Sequence, residues 1–215
     1  MQKAFMIFRL VLLVTFNLVS MDALAEDTDI DLLYGAHVNI PLDWKDLGSE
    51  LDIQSEKATI AVRLAEITSA DTAPEMPLIS LASNSGSPPT MITVLYNDCP
   101  EGACPDSNYF ENLISNSEEV QLNEKKEQER VDKLNAESGH KTLQHFPMEV
   151  KKECDAYYSM AGGQEVAMYG QIAYVSKLKV IYTEDKLLGM TIGYPSADKD
   201  NGAVAEKSLA SFGCD

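Results

Sequence analysis

The chain has 215 residues, of which 45% are hydrophobic and 24% are charged, a composition typical of globular proteins rather than of disordered or fibrous chains. Its 34 acidic residues outnumber its 17 lysines and arginines, which gives a net charge of −17 and an isoelectric point near 4.5. This charge excludes the positive footprint that nucleic-acid binding requires, and it opposes docking on an anionic membrane surface.

The start of the chain has the features of a secretory signal peptide. Lys3 and Arg9 precede a mostly apolar run at 10–19, and Ala23-Leu24-Ala25 matches an A-x-A cleavage site. A membrane anchor is the alternative interpretation, but the apolar run is shorter than the ~20 residues of a spanning helix, and Asp22 follows it closely. We therefore expect residues 1–25 to direct export and to be removed.

Cleavage between Ala25 and Glu26 leaves residues 26–215, a length at which one domain of ordinary size can bury its own core. We expect a single α+β domain there, located in the periplasm or outside the cell. After cleavage the sequence offers no further candidate for stable membrane insertion.

The first half of this domain is predicted to contain short strands and a long loop. Residues 26–33 form an acidic leader, and strands are expected at 34–41, 58–67 and 91–96 because of their β-branched content or alternation. Residues 68–90 contain four prolines and predict a long loop. Within that loop, Leu78 to Leu81 is apolar enough to add one further strand.

Helical segments follow these strands. Asp106 or Ser107 can cap a helix that begins near Asn108, and Ser115-x-x-Glu118 resembles a capping box that restarts it. The stretch 118–137 is rich in Glu, Lys and Gln, and its inward stripe would consist of Val120, Glu124, Glu127, Val131 and Leu134. A charged interaction arm is one interpretation, but we expect a solvated surface helix supported by charge pairs four residues apart.

The remaining chain is predicted to be mostly antiparallel strand. Strands are expected at 142–155, 165–175, 178–182 and 187–194, with turns at Met160–Gly163 and Thr183–Lys186, and a final amphipathic helix at 203–212. Because the strands are grouped and do not alternate with helices, the sequence predicts an α+β fold with an antiparallel β-sheet flanked by helices.

Four cysteines, Cys99, Cys104, Cys154 and Cys214, predict two disulfides in an exported chain. Three connectivities are possible. We favour a Cys99–Cys104 bond around a Pro/Gly turn, with a Cys154–Cys214 bond that fastens the C-terminal helix to a strand. The C-x4-C spacing is not that of C-x-x-C redox motifs, and no His lies near the short loop, so redox and metal roles are disfavoured.

Three segments together resemble the PsbP/Mog-type superfamily, which includes periplasmic DcrB-like proteins. They are Val38-Asn39-Ile40-Pro41 with Trp44 just after it, the stretch from Tyr169-Gly170-Gln171 to Tyr194, and the closing helix from Glu206 to Phe212. The resemblance implies an α/β/α sandwich around an antiparallel sheet. It does not imply an enzyme, because members are largely binding, assembly or envelope proteins without a shared catalytic motif.

Residue patterns that would carry chemistry are missing from the sequence. It contains no Gly-x-Ser-x-Gly elbow, phosphate-binding loop, dinucleotide fingerprint or His-Glu-x-x-His. The histidines His37, His140 and His145 lack companions at ligand spacing, and the Asp27-x-Asp29-x-Asp31 segment lacks the Gly and Glu of a calcium loop. We therefore expect no catalytic residue, cofactor or metal site, and we favour a solvated acidic segment over weak divalent-ion binding.

Tyrosines are frequent in the predicted strands, where they suit half-buried sheet packing, the interpretation that we favour, as well as binding grooves. If a binding face exists, we place it at Tyr169, Tyr174, Tyr182 and Tyr194, beside the acidic loops. We expect a non-enzymatic binding or envelope protein that recognises a basic protein partner, for example as an immunity or inhibitor protein. The alternatives are a secreted hydrolase with carboxylate or Ser chemistry that spacing does not reveal, and an envelope-assembly factor.

Overall fold

The computed structural model of the chain describes residues 27–32, 35–50, 53, 78–98, 105–154, 157–168, 172–182 and 186–214. The predicted signal peptide, the strand predicted at 58–67 and the proposed Cys99–Cys104 bond lie outside these residues. Within the described ranges, no helix combines the length and the hydropathy needed to cross a membrane.

The described residues form strands and helices in the following order along the chain: β1 (Asp27–Asp31), β2 (Ala36–Pro41), β3 (Lys45–Asp46), β4 (Ile79–Gly86), β5 (Pro89–Asp98), α1 (Ser107–Ser115), α2 (Ser117–Glu137), β6 (Lys141–Cys154), β7 (Tyr157–Met168), β8 (Ile172–Tyr182), β9 (Lys186–Pro195), α3 (Lys199–Ser211) and β10 (Gly213–Cys214). The strands build a small sheet of order β1-β2-β10 and a large sheet of order β3-β4-β5-β9-β8-β7-β6. All paired neighbours are antiparallel, so the predicted α+β class is confirmed.

The two faces of the large sheet are covered by different elements. On one face, termed the core face, α3 and the small sheet cover fully buried side chains of β4, β5, β8 and β9, among them Ile79, Leu81, Ile92, Val94, Ile181, Leu188 and Met190. On the opposite face, termed the outer face, α2 lies over β6 and reaches Gln164 of β7. Helices therefore lie on both faces, which confirms the expected α/β/α arrangement.

Acidic residues form a strand at the start of the described chain, although the sequence suggested only an acidic leader. In β1 the exposed Asp29 and Asp31 flank Ile30, which is 1% exposed and belongs to the core. The strand pairs antiparallel with β2. Burial of Ile30 in the core and the pairing of β1 with β2 outweigh the low strand preference of aspartate, because strand preference depends strongly on tertiary context.

The loop predicted at 68–90 ends earlier than its composition suggested. Ile79 and Leu81 are buried on the core face, and the strand that holds them, β4, continues to Gly86. Pro88 lies in the turn before β5, and Pro89 is the first residue of that strand, a position where proline is tolerated. Pro88 and Pro89 therefore belong to a hairpin and do not extend a loop.

The turn predicted at Met160–Gly163 is wrong, because β7 runs straight through it. A Cβ atom on Gly163 would lie 2.4 Å from the backbone oxygen of Ser176 in β8, so only glycine fits at this close approach. Gly162 faces the other way, towards the outer face, and pairs with Leu178.

The predicted surface helix at 118–137 is present as α2, which contains no buried residue. Its N-cap is Asn116, whose side chain accepts hydrogen bonds from the backbone N–H groups of Glu118 and Glu119. The capping box predicted at Ser115 is therefore wrong, and the Ser115 hydroxyl instead donates to the carbonyl of Glu111.

A disulfide between Cys154 and Cys214 ties the end of the chain to the edge of the large sheet. Cys154 is the last residue of β6 and Cys214 is the last residue of β10, so this bond joins the two sheets. This predicted pairing is confirmed.

Replacement of both Cys154 and Cys214 by serine is expected to lower the free energy of unfolding by about 4 kcal/mol. The bond joins residues separated by 60 positions. Closing a loop of that length lowers the conformational entropy of the unfolded chain, which raises its free energy by about 4 kcal/mol. Urea denaturation of the double variant and the parent protein at neutral pH measures the difference. A loss below about 1 kcal/mol would contradict the expectation.

Candidate functional site

A cleft of about 650 Å³ separates α2 from the outer face of β6, β7 and β8. This volume lies within the roughly 300–1,000 Å³ that is usual for small-molecule sites. Its floor is apolar and comes from three neighbouring strands: Met148, Met160, Leu178, Val180 and Tyr182. We term it the α2 cleft.

The side of α2 that faces the cleft is largely polar. The half-buried residues of α2 are Glu119, Val120, Asn123, Glu124, Gln128, Val131 and Asn135. Of these, Asn123, Glu124, Gln128 and Val131 line the cleft, together with the more exposed Lys126, Glu127 and Arg130. The stripe predicted from the sequence contained Glu127 and Leu134 instead, but both are exposed in the structure. Gln128 and Asn135 take their places: Asn135 bonds to the sheet, and Gln128 Nε2 donates to Glu124 Oε1 within the helix.

Asn135 and Glu124 form the main tethers between α2 and the sheet. The Asn135 side-chain amide donates to Thr142 Oγ1 at 2.9 Å and to Gln164 Oε1 at 2.7 Å. About three helical turns before Asn135, Glu124 Oε1 accepts a hydrogen bond from the backbone N–H of Met148 at 3.1 Å. The helix is thus fixed above the strands at both of these points.

His145 of β6 forms a third tether. Its Nε2 atom lies 3.0 Å from Asp132 Oδ1 of α2. A hydrogen bond from Thr142 is the main cause that lowers the pKa of Asp132, and the nearby His145 lowers it further. No group of three or more His, Cys, Asp or Glu in the described part of the chain is placed to hold a metal ion. His145, for which the sequence favoured no metal role, thus joins β6 to α2 through Asp132.

The tyrosines singled out in the sequence do not lie on one surface. Tyr174 and Tyr182 share the outer face, whereas Tyr194 pairs with Val175 on the core face. Tyr174 packs over Gly193, where a Cβ atom would lie 2.7 Å from the tyrosine hydroxyl oxygen. Tyr182 lines the α2 cleft, and its ring centroid lies 5.1 Å from that of Phe110 in α1. Tyr169 lies outside the described residues.

Burial raises the pKa of each of these described tyrosines, so their hydroxyls remain protonated donors at neutral pH. Tyr194 donates to Glu206 Oε1 of α3 at 2.6 Å, which raises its pKa further. The same carboxylate oxygen lies 2.7 Å from Lys177 Nζ. Tyr194 therefore fixes α3 to the sheet and is not available as part of a binding face.

A buried charged cluster lies on the core face beside the disulfide. Lys179 Nζ is 2.9 Å from Glu153 Oε1, and the two side chains are only 8% and 9% exposed. Lys179 also donates to the backbone carbonyl of Phe212, and the Ser159 hydroxyl donates to Glu153. Burial raises the pKa of Glu153, but the hydrogen bonds from Ser159 and Lys179, with the lysine charge, outweigh burial and hold this pKa below its usual value.

This cluster has a structural role. Ser159 is 1% exposed, and its hydroxyl donates to a carboxylate, so it is not presented to a substrate. Gly213 of β10 lies against both charges, since a Cβ atom on it would be 3.3 Å from Glu153 Oε2 and 3.7 Å from Lys179 Nζ. The cluster thus holds the end of the chain in place next to the Cys154–Cys214 bond.

The solvent side of α2 is acidic. The helix carries seven acidic and four basic side chains, and three of the basic ones form ion pairs within the helix, namely Lys125 with Glu129, Arg130 with Glu127, and Lys133 with Glu137. Two large apolar side chains, Leu122 and Leu134, remain 53% and 47% exposed among these charges. The solvent side of α2 is therefore an acidic surface with two separate exposed apolar side chains.

Comparisons with known proteins concern the fold. The solved structure of cyanobacterial PsbP (CyanoP) from Synechocystis is similar to this chain with 10% identity and a TM-score of 0.47, covering 91% of this chain and 98% of that one. A Pseudomonas aeruginosa protein of unknown function is similar with 14% identity and a TM-score of 0.32, covering 86% and 94%. The first of these two proteins bears the name of the family that the sequence resembles. No family model matches the chain, and no curated protein matches it significantly.

The residues that form the floor of the α2 cleft could not be predicted from the sequence. Met148, Met160 and Leu178 lie on three separate strands, and only the sheet order β6-β7-β8 brings them together. One signal was present: polar residues on the inner side of α2 cannot fill an apolar floor. The polar residues on the inner side of α2 could therefore have indicated that this helix does not pack closely against the sheet.

Replacement of Lys179 by methionine is expected to lower the free energy of unfolding by about 3–5 kcal/mol, since it leaves the Glu153 carboxylate buried without its partner. Lys151 Nζ lies 3.5 Å from Glu153 but is 58% exposed, so it replaces little of that charge. Urea denaturation at neutral pH measures the loss, and Lys207→Met, at an exposed ion pair, is the control that should change stability little. Equal losses in the two variants would contradict a special role for the buried pair.

Acid should weaken the contribution of Glu153 to stability. Its pKa is lower in the folded protein than the ordinary value of 4.5, so its stabilising effect is complete above about pH 4.5 and is lost as the pH falls through the folded value. A Glu153→Gln variant is therefore less stable than the parent at neutral pH, and the difference between them narrows towards pH 3. Denaturation curves across this range measure the difference, and a constant gap would contradict the assignment.

Proposed function

We propose that this chain is an exported, non-enzymatic binding protein that recognises a basic protein partner through the solvent side of α2. The observation that carries the proposal is a helix of 21 residues that buries no side chain and exposes leucines within an acidic surface. Most helices of this length contribute an apolar stripe to the core. A surface role explains why α2 does not.

Charge supports a basic partner. The chain carries a net charge of −17, and α2 adds a local excess of acidic over basic residues at its exposed surface. A field of one sign accelerates the encounter with an oppositely charged protein and disfavours acidic competitors. An immunity or inhibitor protein that blocks a basic toxin or hydrolase is one concrete form of this function.

The apolar residues on α2 supply the contacts that charge alone does not. Leu122 and Glu129 are seven residues, or about two helical turns, apart, so their side chains lie on the same side of the helix. Desolvated apolar anchors within a polar rim provide most of the affinity of protein interfaces, whereas rim charges mainly affect association rates. Leu122 is the anchor that we expect to matter most.

The test uses the exported chain, residues 26–215 with its disulfides formed, as bait in an envelope fraction of the source cell. A Leu122→Ser/Glu129→Arg variant should lose a stoichiometric, salt-sensitive partner or bind it at least about tenfold more weakly, since it removes both the apolar anchor and the attractive charge. Surface plasmon resonance with the purified partner measures the change in affinity.

The matched control is Leu47→Ser/Asp29→Arg, which makes the same two chemical changes at exposed positions outside α2. It should retain the partner. Absence of any stoichiometric partner for the folded chain, or equal loss of binding in both variants, would overturn the proposal.

A further inference from the structure

The α2 cleft has the shape of a site for an elongated molecule. Along β8, its floor extends from Ser176 to Tyr182, and six residue steps of a strand correspond to about 20 Å. Its volume of about 650 Å³ therefore describes a long, narrow space. A compact sugar or nucleotide would leave much of that length unfilled.

The floor of this space is apolar and accessible. Leu178 lies in the floor with 42% of its surface exposed, so α2 does not close this part of the floor off from solvent. Met148 and Met160 flank it on the neighbouring strands, and methionine adapts its shape to flexible apolar ligands. Water at such a floor is unfavourable, so an apolar occupant would be stabilised there.

The absence of a side chain at Gly162 makes the cleft deeper. This glycine pairs with Leu178 in the floor, and the nearest atom to a Cβ placed on it is the Cα of Met148 at 3.9 Å, an ordinary contact distance. The backbone at this position therefore tolerates a side chain, and the absence of one leaves space above the strand. The polar inner side of α2, held by Asn135 and Glu124, does not fill that space.

The two ends of the cleft differ in chemistry. At one end Tyr109 and Tyr182 form an aromatic wall, and at the other His145, Gln164 and Ser176 supply hydrogen-bonding groups. An elongated ligand with an apolar body and one polar end matches this arrangement, because its polar end is satisfied only where the cleft is polar.

We infer that the α2 cleft binds a single long acyl chain, with the polar end of the ligand towards His145 and Gln164. This inference concerns the inner side of α2 and stands independently of the protein partner assigned to its solvent side. The acyl chain belongs either to a free fatty acid or to a lipid that carries one such chain, and the two sources share the same apolar contacts with the floor.

The test is isothermal titration calorimetry of the exported chain with hexadecanoate and, separately, with hexadecanoyl lysophosphatidylcholine, both below their aggregation concentrations. Binding of one molecule per chain, stronger for hexadecanoate than for octanoate, is expected because each buried methylene adds affinity. Binding of hexadecanoate alone identifies a free fatty acid, and binding of the lysolipid alone or of both identifies a lipid-borne chain as an accepted source. Binding of neither overturns the inference.

Two variants test the location of the site. Leu178→Asn should weaken binding by about tenfold or more because it places a polar group in the floor, whereas Leu95→Asn, a leucine that is 37% exposed on the same face outside the cleft, should not. Gly162→Leu should also abolish binding by filling the space, with Ala136→Leu on the exposed side of α2 as its control. Circular dichroism establishes that each variant is folded, and unchanged affinity in Leu178→Asn would overturn the assignment to this cleft.

Discussion

The large sheet buries an apolar core on one face, and that asymmetry determines how the rest of the molecule is arranged. Side chains of β4, β5, β8 and β9 pack beneath α3 and the small sheet, where leucine, isoleucine and valine residues are removed from water. Burial of this apolar surface is the dominant favourable term in folding. On the outer face, α1 still buries Phe110 and Leu113, whereas α2 buries no residue and is free to meet other requirements.

The core face is closed at its edge by charge and by a covalent bond. Lys179 and Glu153 neutralise one another inside the protein, and the lysine also satisfies the carbonyl of Phe212 at the end of α3. A buried pair of this kind adds little net stability but is costly to break, so it specifies one position for the chain end. The Cys154–Cys214 bond holds the same segment in place, and β10 seals the cluster from solvent.

The outer face follows a different design, in which polar side chains hold a helix above an apolar floor. Asn135, Glu124 and Asp132 each make a hydrogen bond to the sheet, and these bonds fix the height of α2 without filling the space beneath it. The helix consequently has two sides with separate chemistry. The proposed basic partner would use the acidic solvent side of α2, and the proposed acyl chain would lie against its inner side.

The sequence by itself determined the features that depend on local pattern: the α+β class and the charged helix at 118–137. It only favoured the Cys154–Cys214 pairing among three connectivities, and the structure confirms that bond. Only the tertiary structure decided the features that depend on neighbours distant in the chain. The glycines of β7 were interpreted as a turn because the crowding around Gly163 comes from Ser176 on another strand. Tyr174 and Tyr194 were assigned to one face, although the pairing of β8 with β9 places them on opposite faces. The α2 cleft was not predicted for the same reason, since its floor exists only once β6, β7 and β8 are side by side and their side chains reach a common surface.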